Sequence, residues 1–367
     1  MAKLLGIRKT LVVNPNAFLL SLQDQLSNEF NQILQWEEEL WAMKARNNWL
    51  IVGERNTSYF HLSTIVRRSA NKISCVKLEN EEWIYDLNQT KHYFREGFLK
   101  LYTTESLLST RDMTLEMACY RLLEYKAVGL ASIPSNAEIL VALKSMMPYK
   151  APGPDGLHAG FFQRHWNCVG DSVKDEVRNI FISCEMSAFL NQTLIALIPK
   201  QKGPETISHF KPISLCNTVY KLVTKILVQR LCPHMHNLIS LCQTAFMASR
   251  RGSDNIIIAQ EIIYFLNKRK GKEEFMIVKI DLEKAYDRLE WCFICKVLTC
   301  FGFPPNIIKL IMSCISSSST SLLFNGEKLP PFAPSRGIRQ GDPLSPFIFL
   351  LCMKYLNTQI EDLCDSK

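Results

Sequence analysis

No apolar run in this chain approaches the ~20 residues that a membrane-spanning helix requires; stretches such as Phe347–Met353 fall far short of that length. Residues 1–25 lack the apolar core and small-residue cleavage site of a secretory signal. Low-complexity tracts and internal repeats are also missing. The 13 cysteines show no paired spacing of a disulfide framework, which points to reduced thiols and a nuclear or cytoplasmic compartment, with no membrane partner. Cys292 and Cys295 do form a CxxC, but they lie in a helical pattern, so a buried helix face is the expected reading rather than zinc or redox chemistry. His234 and His236 sit two apart without further ligands at metal spacing. Finally, no two aspartates are adjacent anywhere in the chain.

What remains is ordinary globular material with an uneven excess of positive charge. Of 367 residues, 47% are hydrophobic and 21% charged, and the net charge is +8. Between residues 40 and 77 the single acid, Glu54, stands among Lys44, Arg46, Arg55, Arg67, Arg68, Lys72 and Lys77. Between residues 200 and 230 the single acid is Glu205, among Lys200, Lys202, Lys211, Lys221, Lys225 and Arg230. Basic stretches of this kind suit a polyphosphate partner, because each neutralised phosphate releases counterions. Solvated basic helix faces would give the same counts.

Phe18, Leu22, Leu26, Phe30 and Ile33 recur at helical spacing and predict a long amphipathic helix reaching about Lys44, after a turn at Asn14-Pro15-Asn16. Residues 49–61 set Arg55 and Asn56 among aromatics, an arrangement fit to stack on and neutralise a single strand or to form a small helical core. Ser135 and Glu138 make a capping-box pattern before a helix with Ile139, Leu143 and Met146 on one face. The segment 150–156, rich in proline and glycine, is a stiff loop around Asp155. Leu194–Ile198 reads as a short strand ending at Lys200, and Phe210–Asn217 follows a polar link.

Residues 276–291 read as a buried strand (Met276, Ile277, Val278, Ile280) that delivers Asp281 at its end, with Tyr286 and Asp287 beyond. An acid at the end of a strand is a place to hold a metal ion, although a helix cap is the commoner use. Asn325-Gly326 after Ser319–Phe324 signals a hairpin. In residues 334–346, Gly337 and Gly341 permit close backbone approach. Asp342 and Pro343 there start a helix buried through Leu344, Phe347, Leu351 and Tyr355.

Taken in order, Trp49–His61, Ala151–Gly156, Leu197–Lys200, Phe210–Asn217, Gln243–Asn255, Lys279–Trp291 and Arg336–Pro346 resemble the reverse transcriptases of non-LTR (LINE-type) retrotransposons, plant elements above all. The resemblance runs from about Trp36 onward. It implies an α+β fold: right-hand polymerase fingers and an incomplete palm, with an antiparallel sheet packed by helices. A mainly helical region (1–130) would precede the reverse transcriptase domain (131–367).

By the same resemblance Asp281, with the carbonyl of Leu282, would ligate two Mg²⁺ ions about 3.5–4 Å apart, one activating the primer 3′-hydroxyl and one steadying the leaving group. Lys200 and Lys211 would hold the triphosphate. Tyr286 would lie beneath the incoming sugar and select deoxynucleotides, although a core role fits its residue type equally. Gln340 and Gly341 would line the nucleotide pocket. Arg55, Asn56, Gly153, Asp155, Arg251 and Asn255 would contact nucleic acid, and the partners would be an RNA template, a DNA primer and deoxynucleoside triphosphates.

Two departures qualify the expected activity, RNA-directed DNA synthesis. Lys211 stands where the family usually has Arg, keeping the charge but losing the two-pronged fork for phosphate. The family's Asp-Asp palm hairpin, which supplies the remaining metal carboxylates, has no counterpart before Lys367; Glu361, Asp362 and Asp365 lack a strand context. A truncated, inactive polymerase is therefore the expectation. The alternatives are a non-catalytic nucleic-acid-binding remnant and a mobile-intron-type reverse transcriptase.

Overall fold

The computed structural model describes residues 2–45, 57–104, 122, 129–240, 243–247, 250–269 and 275–365. The contacts divide the chain into two compact units, Met1–Ile73 and Ser74–Lys367, upstream of the boundary expected at residue 130. The first unit is helical: Ala2–Val13, Ala17–Ala45 and Thr57–Ala70. The predicted turn at 14–16 separates the first two helices, and the Asn16 side chain accepts from the Phe18 amide at 2.8 Å. Trp41 meets His61 edge-on at 4.3 Å, while the Lys44 ammonium lies over the Trp41 ring.

The second unit is a four-stranded sheet among helices, so the α+β expectation holds. The strands are β3 (Thr193–Pro199), β4 (Phe210–Cys216), β5 (Thr320–Phe324) and β6 (Glu327–Lys328), in the order β4-β3-β5-β6. A separate pair joins β1 (Val76–Lys77) and β2 (Trp83–Ile84). The expected wholly antiparallel sheet is corrected, because β3 and β5 run parallel, Thr193 facing Thr320. Parallel neighbours need a long crossover, and the helices between residues 218 and 316 belong to it. The Asn325-Gly326 hairpin forms as predicted, with φ of 51° and 92° at the turn residues.

The core is organised on the helix Thr218–Leu238, which is apolar on nearly every side: Tyr220, Leu222, Val223, Ile226, Leu227, Leu231 and Met235 are all buried. Such a helix must be surrounded. Asn136–Lys144, Trp166–Ser183, Trp291–Cys300, Pro305–Ser316 and Ser345–Asp365 contribute to the same apolar cluster. Ser135 caps Asn136–Lys144 by accepting from the Glu138 amide at 3.2 Å. The Glu138 carboxylate takes a different role, receiving Arg230 Nε and Nη2 at 2.6 and 2.8 Å. On the helix Trp291–Cys300, Ile294, Val297 and Leu298 are buried but Cys292 is exposed, so the CxxC is not itself a buried face.

The helix Leu87–Tyr102 belongs to this second unit. Asp86 caps it, and its aromatic stripe lies on the sheet: Phe94 meets Phe210 and Phe324 edge-on at 5.3 and 5.5 Å, and Tyr102 stacks on Phe332. Burying each such ring is worth about 1.5–3 kcal/mol, which binds residues 87–102 to the sheet.

Candidate nucleotide site

The antiparallel pair β3–β4 brings together two cations from opposite ends of a polar link. Ile198 faces Lys211 in the register, and the Lys200 amide bonds the His209 carbonyl at 2.8 Å just past the strand. The burial of β4 alternates, with Phe210 and Pro212 inward and Lys211 exposed, as a strand with one wet face requires. A third wall comes from residues 336–341. The Ser214 amide bonds the Gln340 carbonyl at 2.8 Å, and Gly341 lies so close to β4 that a Cβ there would meet the Ser214 carbonyl at 2.9 Å. With φ of +118° as well, Gly341 is held to glycine by both conformation and space.

The fourth wall is the turn 283–288. The Tyr286 carbonyl and, just past the turn, that of Leu289 accept from the Ile338 and Gly337 amides at 2.8 and 2.7 Å, and Trp291 Nε1 donates to the Gly337 carbonyl at 2.8 Å. These bonds fasten the turn to residues 336–341. The result is a cavity of about 320 Å³ lined by Lys200, Lys211, Lys284, Asp287 and Gln340, with Gly97, Phe98 and Leu101 from the helix below.

Asp287 is the buried hinge of this site. Tyr102 Oη donates to Oδ1 at 3.0 Å, and Gln340 Nε2 lies 3.2 and 3.1 Å from its two oxygens. A carboxylate only accepts, so the Gln340 amide must turn its NH₂ toward Asp287. Burial raises the Asp287 pKa, and the bonds from Tyr102 and Gln340 and the charges of Lys284 and Lys200 oppose that rise. Nothing local marks Tyr102 as a partner, since it lies far upstream on another helix.

Behind this wall sits a second polar knot. Arg339 Nη2 donates to Asn191 Oδ1 at 2.5 Å and to the Cys314 carbonyl at 3.2 Å, and its guanidinium lies over the Tyr220 ring. Tyr220 Oη donates to the buried Asp342 at 3.1 Å. Asp342 also accepts from the Leu344 amide, but the helix begins at Ser345, so neither Asp342 nor Pro343 takes the expected cap and first helical positions. Burial raises its pKa, with Arg339 opposing. An Arg and an Asp three apart around glycine was the available signal for this pair.

The residues expected to ligate metal, Asp281 and Leu282, do not line this cavity. The predicted buried strand at 276–280 is not one: residues 275–280 form no strand, and no backbone hydrogen bond joins residues 275–283 to another described segment. Met276 is 85% exposed, and Ile277, Val278, Ile280, Asp281 and Leu282 are exposed as well. An apolar strand is buried only when sheet neighbours cover it, and no described strand pairs with this one. Among the described residues no three His, Cys, Asp or Glu side chains are grouped to hold a metal ion. A lone exposed carboxylate at Asp281 does not fit a two-ion site.

Tyr286 does not line the cavity. Its ring stacks on Phe349 at 4.9 Å, its hydroxyl is buried without a hydrogen-bond partner, and burial pushes its pKa up to about 12. Gly153 packs against the start of the helix Thr218–Leu238, where a Cβ would meet the Asn217 amide nitrogen at 2.4 Å. Asn217 Oδ1 accepts from the Asp155 amide at 3.2 Å, while Asp155 Oδ1 accepts from the Leu157 amide. The loop is thus latched to Asn217, and burial raises the Asp155 pKa. Arg251 is exposed at the N-terminal boundary of the helix Gly252–Lys268, and Asn255 Nδ2 donates to Thr244 Oγ1 at 3.2 Å. Arg55 and Asn56 lie outside the described residues.

Comparison with known proteins bears on the whole arrangement. Residues 198–366 match the family described as reverse transcriptase (RNA-dependent DNA polymerase). The chain is 24% identical over 364 residues to the transposon TX1 uncharacterized 149 kDa protein of Xenopus laevis, covering 95% of this chain and 28% of that protein. It is 26% identical over 207 residues to the retrovirus-related Pol polyprotein of the type-2 retrotransposable element R2DM of Drosophila melanogaster, covering 56% of this chain and 19% of that one. A Pol polyprotein of the R2 element of Nasonia vitripennis is 28% identical over 199 residues, 54% of this chain and 19% of its own length. The chain thus spans well under a third of these relatives. None of the described helices is long and apolar enough to cross a membrane. The family match and the element relatives agree: residues 198–366 match a reverse transcriptase domain, and the similar proteins belong to elements of the non-LTR retrotransposon kind.

Proposed function

We propose that the cavity between β4, the turn 283–288 and residues 336–341 binds a deoxynucleoside triphosphate, as part of an RNA-directed DNA polymerase acting on an RNA template and a DNA primer. One observation carries this reading. Lys200, Lys211 and Gln340, far apart in sequence, line one cavity of about 320 Å³ with Lys284 beside them. Three ammonium groups are a natural complement to a triphosphate, and the Gln340 amide, fixed by Asp287, meets the remainder of the ligand in one orientation.

The family generally works with Mg²⁺, which would polarise the phosphates and activate the primer hydroxyl. Asp281 and the Leu282 carbonyl are proposed ligands from this chain. As they stand they do not fit two ions, and the chain by itself is proposed to be inactive in synthesis. Arg251 and Asn255 are proposed to contact the nucleic-acid strand, with the loop holding Gly153 and Asp155 shaping the same side. Tyr286, stacked on Phe349 outside the cavity, is proposed to bear on sugar selection only indirectly, by supporting the turn 283–288.

Equilibrium dialysis of the full chain against dATP tests the binding claim. Lys211→Ala is expected to weaken binding about tenfold or more, the scale of one charged hydrogen bond; unchanged binding would refute it. Primer extension on an RNA template with Mg²⁺ or Mn²⁺ tests the inactivity. Robust incorporation that disappears in Asp281→Ala would overturn that part alone.

A further inference from the structure

The nucleotide cavity opens beside a larger one. This outer cleft, of about 880 Å³, runs between the β1–β2 turn and the helix Leu87–Tyr102, and shares Gly97, Leu101, Ile207 and Lys284 with the inner cavity. Gly97 keeps this region narrow, because a Cβ there would meet Ile207 Cδ1 at 2.5 Å.

The lining of the outer cleft holds two kinds of group. Lys100, Lys284 and Arg288 supply positive charge, and none of the three is in an ion pair with a described carboxylate. Arg336 also lines the cleft, but its Nε donates to the Leu101 carbonyl and its Nη1 reaches Glu290, so it is already committed. The β1–β2 turn adds Glu79 and the helix adds Tyr93; Glu96 also lines the cleft but receives Arg95 Nη1 at 2.6 Å, and Asn80 is engaged with Glu82 through both ends of its amide. The Tyr93 ring, partly exposed and edge-on to Phe94, presents an aromatic surface to the cleft.

Unpaired cations call for phosphate. The Glu79 carboxylate and the Tyr93 ring suit the donor edge and π-face of a base. Inorganic polyphosphate would leave the second group of residues unused and two acids facing its charge. We infer that the outer cleft is a second nucleotide site, which holds a nucleoside triphosphate at the mouth of the inner cavity, phosphates toward Lys284 and base toward Tyr93. Lys284, common to both cavities, lets the phosphates pass inward without losing a cation. The inference rests on the nucleotide reading of the inner cavity for its direction, though not for its chemistry.

The test measures dATP stoichiometry on the full chain by equilibrium dialysis, with tripolyphosphate, deoxyadenosine and oligo(dT) as competitors. Two dATP per chain are expected. Lys100→Ala combined with Arg288→Ala, both exposed and unpaired, is expected to weaken one site about tenfold, the loss of charged contacts, and to leave the other unchanged. Lys211→Ala is expected to do the reverse. One dATP per chain, or two sites insensitive to the outer pair of substitutions, overturns the outer site and leaves the inner reading standing. Loss of binding in the outer variant alone, with Lys211→Ala silent, overturns the inner reading instead. Competition by tripolyphosphate as strong as by dATP itself, or by oligo(dT) in preference to dATP, also overturns the assignment to a single nucleotide.

Discussion

Residues 276–291 are one continuous stretch, yet its two halves have opposite fates. The second half, 283–291, is fastened by backbone bonds from Gly337 and Ile338, by Trp291 Nε1 and by the bonds of Asp287 to Tyr102 and Gln340. The first half, 275–282, lies exposed and unpaired although it is the more apolar. The helix before it, Gly252–Lys268, is alike: Ile256, Ile257, Ile258, Ile262, Ile263, Tyr264 and Phe265 are all exposed. Apolar composition therefore does not by itself bury a segment. Burial came to the half that had a polar latch to a neighbouring loop, and the half that carries Asp281 has no such neighbour among the described residues. Contiguous exposed apolar surface of this sort marks a place for a partner or a route to aggregation.

The comparison is broken hardest behind the fastened half. Arg339→Met removes a buried cation and leaves Asp342 buried without its compensating charge. Truncating one side of such a pair costs about 3–5 kcal/mol, read from urea unfolding. A loss below about 1 kcal/mol would mean that the knot of Arg339, Tyr220 and Asp342 does not hold residues 336–341 in place.

Asp287→Asn acts one layer closer to the cavity. Asparagine keeps one acceptor where two donors now bond, so a loss of about 1 kcal/mol is expected near pH 4. The sign of the pH dependence follows from the raised pKa of Asp287. A carboxyl raised on folding gives its full stability below the ordinary value of about 3.9 and loses it as pH climbs through the raised value. The wild type should therefore lose ground to the asparagine variant from pH 4 to pH 7, and the gap in Tm should narrow. A gap that widens with pH would show that the ionised form is the favoured one in the fold.

The smallest effect is expected in the loose half. Ile277→Ser with Ile280→Ser, at exposed unpaired positions, should change stability by no more than about 0.5 kcal/mol each. A loss several times larger would place 275–282 in a paired strand, and the contrast between the two halves would vanish.

Much of this was legible in advance because it is local. Asn325-Gly326 dictates its hairpin through positive φ, Ser135 dictates its cap, and the alternation of Phe210, Lys211 and Pro212 dictates which face of β4 is wet. Motif order pointed to reverse transcriptases and drew attention to Lys200, Lys211 and Gln340, which the fold brings to one cavity. Other features had no local signal. The parallel pairing of β3 with β5, the role of Tyr102 beneath Asp287, and the latch of Gly153 on Asn217 each join residues more than sixty positions apart. The apolar pattern at 276–280 was read as a buried strand because periodicity reports what a segment can cover, and carries no information on whether a neighbour is there to cover it.

The sequence by itself determined the catalogue of this protein's parts: its helices, hairpin and strands, a basic surface, and the motif set of a reverse transcriptase. The tertiary structure alone decided which parts meet. It gathered three lysines, Gln340 and Asp287 around one cavity and set a cationic cleft at its mouth, but left Asp281 in the open. The reason is physical: local conformation follows from each residue's own torsional and hydrogen-bonding preferences, whereas a site depends on distant groups desolvating one another, and only the folded chain brings those together.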